Sequence, residues 1–219
     1  MAFFNEWNLL SPASFVQAEM IFFHDHALVL LVGILGLVFL MGVKLILNTF
    51  SSRFLIEAQM LETVWTIVPA ILLVWLALPS LRLLYLLDEQ GGQSNILKAV
   101  GHQWFWSYEA PSLGHLSFDS YMVPQNDLTF GMYRLLEVDN RPMIPVGFPT
   151  QVVVTSTDVI HAWAVPALGV KVDAVPGRLN NLNIHPFSTG VYYGQCSEIC
   201  GANHSFMPIS LEVVQTNDM

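Results

Sequence analysis

The run "ALVLLVGILGLVFLMGVKLIL" (27–47) holds a single charged residue, Lys44. A helix of that length rises about 30 Å, the thickness of a bilayer's hydrocarbon core. A second apolar run, "TVWTIVPAILLVWLALPSL" (63–81), follows after a short polar stretch. Pro69 and Pro79 are compatible with a helix here, because membrane helices tolerate proline where neighbours or waters satisfy the freed carbonyls. Two such runs joined by a short loop predict an antiparallel transmembrane hairpin, with the lipid bilayer as its surroundings. The chain as a whole, 53% hydrophobic and 11% charged with a mean hydropathy of +0.51, is too apolar for an ordinary soluble domain, and the excess sits in its first 87 residues. The expected division is an N-terminal segment and hairpin over 1–87, with spans at about 27–47 and 63–85, a linker over 88–95 and a second domain over 96–219.

Basic residues near the spans set the orientation. Lys44 and Arg53 lie towards the loop between the helices, while Glu6, Glu19 and Asp25 precede the first span. The loop is therefore expected inside and both termini outside, with Arg82 pulling the other way. No basic segment with a short apolar core and a small-residue cleavage site precedes the first span, so the chain is expected to be made where it is inserted or to have lost a presequence.

After "YLLDEQGGQSN" (85–95), rich in Gly, Gln, Ser and Asn, the composition changes. Short runs such as "QWFWSYE", "YRLLEV", "QVVVTST", "VYYGQ" and "PISLEVV" read as strands punctuated by Gly and Pro, which suits one antiparallel sandwich or barrel. From Asp88 onward twelve Asp and Glu face five Lys and Arg, a net of −7. An acidic exterior disfavours nucleic acid and suits a cationic protein partner, or simply confers solubility.

Both cysteines of the chain lie in "YYGQCSEICGANHSFMP" (192–208). A Cys196–Cys200 disulfide would close a tiny loop with little entropy to remove from the unfolded chain, and it leaves His204 and Met207 unexplained. Zinc could take Cys196, Cys200 and His204, with His161 of "DVIHAWAVP" as a fourth ligand, but structural zinc has no use for a thioether. One thiolate, two imidazoles and a distant Met describe a mononuclear copper site for electron transfer. Here a second thiolate is added, and two thiolates can hold two copper ions close together with an imidazole for each. An electron shared by two ions changes each bond less than one localised on a single ion, so the set favours copper and the movement of electrons.

"GQCSEICGANHSFMP" together with "IHAWAVPALGVKVDAVPGR" (160–178) resembles subunit II of the cytochrome c oxidases of the haem–copper family. The resemblance extends through "GHQWFWSYE" (101–109), "FDSYM" (118–122), "LLEVDNRP" (135–142) and "ETVWTIVPA" (62–70), nearly the whole chain. It implies an α+β membrane protein: a two-helix transmembrane hairpin followed by a cupredoxin-like Greek-key β-barrel. It also implies a binuclear copper centre of the CuA type, which accepts electrons from cytochrome c. The electrons pass to haem in oxidase subunit I, where oxygen is reduced to water with proton pumping. By the same resemblance Cys196 and Cys200 are bridging thiolates, His161 and His204 terminal imidazoles, and Met207 a weak ligand. Glu198 would give its backbone carbonyl to copper and its side chain to a magnesium ion shared with subunit I. Trp104 would receive the incoming electron, Asp119, Asp139 and Asp158 would meet the cationic cytochrome c, and Glu62 would stand at the mouth of a proton path.

Phe105 stands where many members carry tyrosine, which removes a hydroxyl and keeps the ring. The stretch "APSLGH" (110–115) lacks acids that animal members often have, so docking is expected to be weaker or displaced. His102, His115 and His185 fall outside the matched ligand set, and His24, Asp25 and His26 are read as interfacial. The resemblance implies further oxidase subunits as partners and a mitochondrial inner membrane with the β-domain in the intermembrane space. A bacterial plasma membrane with a periplasmic domain is the alternative.

Two other functions remain open on the residues. A membrane-anchored copper-delivery protein also carries C-x3-C, but on a thioredoxin-like fold with its histidine far downstream. A structural zinc domain would use the same cysteines. A copper-free quinol-oxidising relative would lack these ligands altogether.

Overall fold

A computed structural model describes residues 9–54, 56–88, 95–111 and 115–215. Glu6, the linker residues 89–94 and residues 112–114 of "APSLGH" lie outside the described residues. The chain forms two compact units, one of Glu19–Leu87 and one joining the residues up to Ala18 with those from Asp88 onward.

The first unit is the hairpin, made by α1 (Phe15–Leu47) from Glu19 onward and by α2 (Gln59–Asp88) as far as Leu87. Both are long and apolar enough to cross a membrane, and their large side chains, Leu35, Phe39, Leu73 and Val74 among them, point outward rather than into a protein core. That is the pattern of helices solvated by lipid, where every backbone group is satisfied within the helix. The ring of His26 on α1 meets the edge of Trp75 on α2 with centroids 4.5 Å apart.

Helix α1 begins twelve residues before the expected span. Ser14 caps it: its Oγ accepts the Gln17 N–H at 3.1 Å, while the Ala18 N–H reaches the Ser14 carbonyl at 3.1 Å. The cap is held by the β-domain. Ser14 Oγ donates to the Leu168 carbonyl at 2.7 Å, Ala13 N–H donates to Ala167 O at 2.9 Å, and Phe187 N–H donates to Ala13 O at 3.0 Å.

The second unit is a β-domain. Its largest sheet has the order β3 (His115–Ser120), β2 (Phe105–Ala110), β1 (Asn95–His102), β5 (Thr150–Ser156) and β8 (Asn180–Ile184). A second holds β4 (Met143–Pro145), β10 (Pro208–Val214) and β9 (Gly190–Gln195). A third pairs β6 (His161–Val165) with β7 (Val170–Ala174). β1 lies parallel to β5 and β4 parallel to β10, so the sheets are mixed rather than antiparallel throughout, and the strands are joined by crossovers as well as hairpins. Alternation along β2 buries Trp106 and Tyr108, and Leu97, Val152, Trp163, Ile209 and Leu211 complete the core. Tyr108 and Trp163 meet their polar needs inside it, the indole N–H donating to the phenol oxygen at 3.3 Å.

One expected strand is absent. "YRLLEV" (133–138) forms a turn, and only Val138 makes a bridge, to Met122. The cause is Glu137, whose buried carboxylate accepts the Tyr133 N–H at 3.3 Å, the Tyr193 hydroxyl at 2.7 Å and Arg141 Nη2 at 2.6 Å. These bonds curl the segment back on itself and leave Leu135 at φ +68.

Candidate metal centre

β9 and β6 approach so closely that a Cβ on Gly194 would run into the Ala164 carbonyl oxygen. This contact, with Ser197 N–H donating to Ala162 O at 3.1 Å, brings the end of β9 to the start of β6. Cys196 follows the one strand and His161 opens the other, so residues 35 apart in sequence become neighbours.

The ligand atoms of His161, Cys196 and Cys200 all lie within 4.8 Å of one another, and all three residues are buried. Around each sulfur stand two further donors. Cys196 Sγ lies 3.9 Å from His161 Nδ1 and 3.4 Å from the Glu198 carbonyl. Cys200 Sγ lies 3.4 Å from His204 Nδ1 and 3.6 Å from Met207 Sδ. The sulfurs themselves are 3.9 Å apart and unbridged. Every residue of the expected ligand set is thus gathered in two halves, one about each cysteine.

The electrostatics of this cluster ask for a cation. Burial opposes ionisation of Cys196, yet hydrogen bonding to His161 and to backbone groups of Ala162 and Glu198 outweighs it and lowers the thiol pKa. Burial raises that of Cys200, and the charge on Cys196 raises it further. Both sulfurs can be thiolates together only where positive charge lies between them. Burial would lower the His161 pKa, but its bonds to Cys196 and Asp158 raise it. Asp158 Oδ1 accepts His161 Nε2–H at 2.9 Å, which fixes the tautomer and turns the Nδ1 lone pair towards Cys196 when the ring is neutral. Two soft sulfurs, a thioether and two imidazoles fit copper, whereas the thioether is superfluous for zinc.

Trp104 lies in the turn between β1 and β2, half-buried, and its indole N–H donates to the Cys200 carbonyl at 3.3 Å. From the same hairpin Phe105 stacks on His102 at 4.4 Å and on Tyr121 at 4.5 Å. Asp119 and Asp139 flank Tyr121: burial, then these two acids, raise its phenol pKa. Both are exposed, although Asp139 Oδ1 also accepts the N–H groups of Tyr121 at 2.8 Å and Asn140 at 2.7 Å.

Asp158 is placed differently. Besides His161 it accepts the Val159 N–H at 2.6 Å, the Gln103 N–H at 2.6 Å and the Ser156 hydroxyl at 3.2 Å. It braces the His161 ring, a role its position three residues before His161 could have suggested. Gln103, whose Nε2 donates to the Cys200 carbonyl at 2.8 Å, carried no sequence signal of its own. The Glu198 side chain is exposed. Glu62 belongs to the other unit, in the first turn of α2, where a carboxylate complements the helix dipole.

Comparison with known proteins covers both units. The family model described as cytochrome c oxidase subunit II, periplasmic domain, matches residues 95–214, and that described as its transmembrane domain matches residues 4–83. The chain is 64% identical over 218 residues to cytochrome c oxidase subunit 2 of Albinaria caerulea, covering 100% of this chain and 97% of that one. For the same subunit of Yponomeuta malinellus the identity is 52% over 218 residues, covering 100% and 96%. Among solved structures, the periplasmic domain of subunit II of cytochrome oxidase of Bradyrhizobium japonicum is similar with a TM-score of 0.54 and 48% identity, over 58% of this chain and 88% of that one.

Proposed function

Because the chain belongs to the cytochrome c oxidase subunit II family, we propose that its β-domain is where that oxidase accepts electrons from cytochrome c, at a CuA-type pair of copper ions. The carrying observation is the twofold donor set, with His161 and the Glu198 carbonyl beside Cys196 and with His204 and Met207 beside Cys200. These six residues would hold the metal. When bound, the pair supplies a one-electron couple whose charge is shared between two ions.

The chain's own residues set the conditions for that chemistry. His161, Cys196, Cys200 and Met207 are buried, so water is kept from their ligand atoms. Asp158 holds the His161 ring in one orientation. Trp104 is the group through which electrons arrive: it is half-exposed on one side and hydrogen-bonded to a ligand residue's carbonyl on the other. Asp119 and Asp139 dock the cationic cytochrome c beside that tryptophan, and Asp158 adds charge there while bracketing His161. Steering by such acids acts on association rate more than on affinity.

Beyond the domain, the Glu198 side chain would hold a magnesium ion shared with subunit I, where haem and oxygen chemistry and proton pumping reside. Glu62 stands at a proton path in the same partner. The membrane is the mitochondrial inner membrane, with the β-domain in the intermembrane space.

The test uses the full chain in detergent, because residues 13–17 pack on the β-domain. Reconstitution with equal amounts of copper(I) and copper(II) should yield two coppers per chain and an electron spin resonance signal from one unpaired spin shared by both. Cys196→Ser should abolish the shared signal. Uptake of zinc in preference, or formation of a Cys196–Cys200 disulfide that ignores copper, refutes the proposal.

A further inference from the structure

Gln103 is no part of the ligand set, yet it is tied to both halves of it. Its backbone N–H donates to Asp158 Oδ2 at 2.6 Å, and the other oxygen of that carboxylate holds His161 Nε2 at 2.9 Å. Its side-chain Nε2 donates to the Cys200 carbonyl at 2.8 Å, where the Trp104 indole N–H also ends. A carbonyl oxygen carries two lone pairs, so it can receive both. The next residue allows this approach: Gly201 sits at φ +124, and a Cβ on it would lie 3.0 Å from Trp104 Cζ2 and 3.2 Å from Gln103 Nε2.

We propose that Gln103 is the positioning residue of the metal centre, setting the spacing of the His161 and Cys200 loops from the one turn that also carries Trp104. The inference rests on the copper reading above. Cys200 is held near its carbonyl by two donors, and residues 201–203 beyond it are exposed. A displaced carbonyl carries its own Sγ with it, away from Cys196 on one side and from His204 and Met207 on the other. Charge sharing between two ions depends on the balance of their donors. A shift confined to the Cys200 half therefore alters the electronics of the centre before it costs any ligand. The backbone half of the brace, on Asp158, does not depend on the Gln103 side chain, so the effect of a substitution is one-sided.

Two variants of the full chain in detergent test this. Gln103→Met keeps the side chain's length and removes its donors, and Gln103→Glu keeps length and polarity while removing them. Gln103 is exposed, so neither substitution threatens the fold, which circular dichroism verifies. In the metal-free chain, amide exchange over residues 200–206 should quicken about fivefold, the weight of one hydrogen bond, while exchange over 159–162 stays at the wild-type rate. In the chain loaded with equal amounts of copper(I) and copper(II), both variants should keep two coppers, but with a changed hyperfine pattern and a shifted midpoint potential. Unchanged exchange over 200–206, or a hyperfine pattern and potential equal to wild type in both variants, overturns the inference. A wild-type chain that takes up no copper sinks the copper reading, and the exchange measurement then still decides the role of Gln103.

Discussion

Replacing Asp158 by Asn separates two roles that one carboxylate could have. The side chain accepts His161 Nε2, the Val159 N–H and the Ser156 hydroxyl on Oδ1, and the Gln103 N–H on Oδ2. The amide keeps one neutral acceptor oxygen and presents an NH2 group in place of the other. If that NH2 takes the Oδ2 position it faces the Gln103 N–H donor to donor, and the reverse flip sets it against His161, Val159 and Ser156. One hydrogen bond is lost at best, and the remainder lose the charge assistance that roughly doubles their strength. Together these amount to about 1–3 kcal/mol, or about 5- to 150-fold in an equilibrium constant. Groups that orient a metal-binding imidazole typically account for about 10–100-fold in metal affinity, within that span. Competition with a chelator for copper(II), measured on the full chain in the absence of cytochrome c, gives the number directly. A docking acid has no part in that assay. Copper affinity within twofold of wild type would show that the bracket on His161 carries no weight, and would return Asp158 to the docking surface alone.

Asp119→Asn should behave in the opposite way, leaving copper affinity unchanged while flattening the fall of cytochrome c association rate with ionic strength; an unaltered salt slope would remove Asp119 from the docking surface. Gly194→Ala forces β9 away from β6 at the Ala164 carbonyl, and overpacking of this kind costs about 1–3 kcal/mol, readable as a lower urea midpoint with the hairpin helices unaffected. Burial would raise the Glu137 pKa, but hydrogen bonds from Tyr193, Arg141 and the Tyr133 N–H outweigh it and hold it below its ordinary value of 4.5. Its stabilising contribution is therefore complete above about pH 4.5 and drains away as pH falls through the lower folded-state value. Glu137→Gln should flatten the acid limb of a plot of urea midpoint against pH, and an equally steep limb would exclude the group.

The transmembrane hairpin was legible because one number decides it, the length of unbroken apolar chain against the thickness of a bilayer. Hydropathy marks the apolar span and not the start of α1, since "FVQAEMIFFHDHA" (15–27) is helical without being uniformly apolar. The signal was nonetheless present: Ser14 followed three residues later by Gln17 has the spacing of a capping box. In "YRLLEV" the reading failed for the opposite reason. Tyr, Leu and Val favour a strand, but a glutamate placed to reach the N–H four residues back overrides propensity once Arg141, four residues on, and Tyr193, from β9, bond to it.

The residues of the candidate centre could be read because they are chemically distinctive: only Cys and Met offer soft sulfur donors and only His an imidazole, and four such residues lie within twelve, 196–207. His161 could be offered as a further ligand by residue type, but not placed, since the contact that delivers it is made by an absent side chain at Gly194. The shell around the ligands is less legible still. Cys200 is held by its carbonyl, Ser197 donates to the carbonyl of Ala162, and Gln103 grips Asp158 through its own N–H. Any residue could offer those backbone groups, so residue type carries no trace of them. Positioning in this cluster is largely backbone work, and substitutions there can leave the motif intact while changing the distances between its donor atoms.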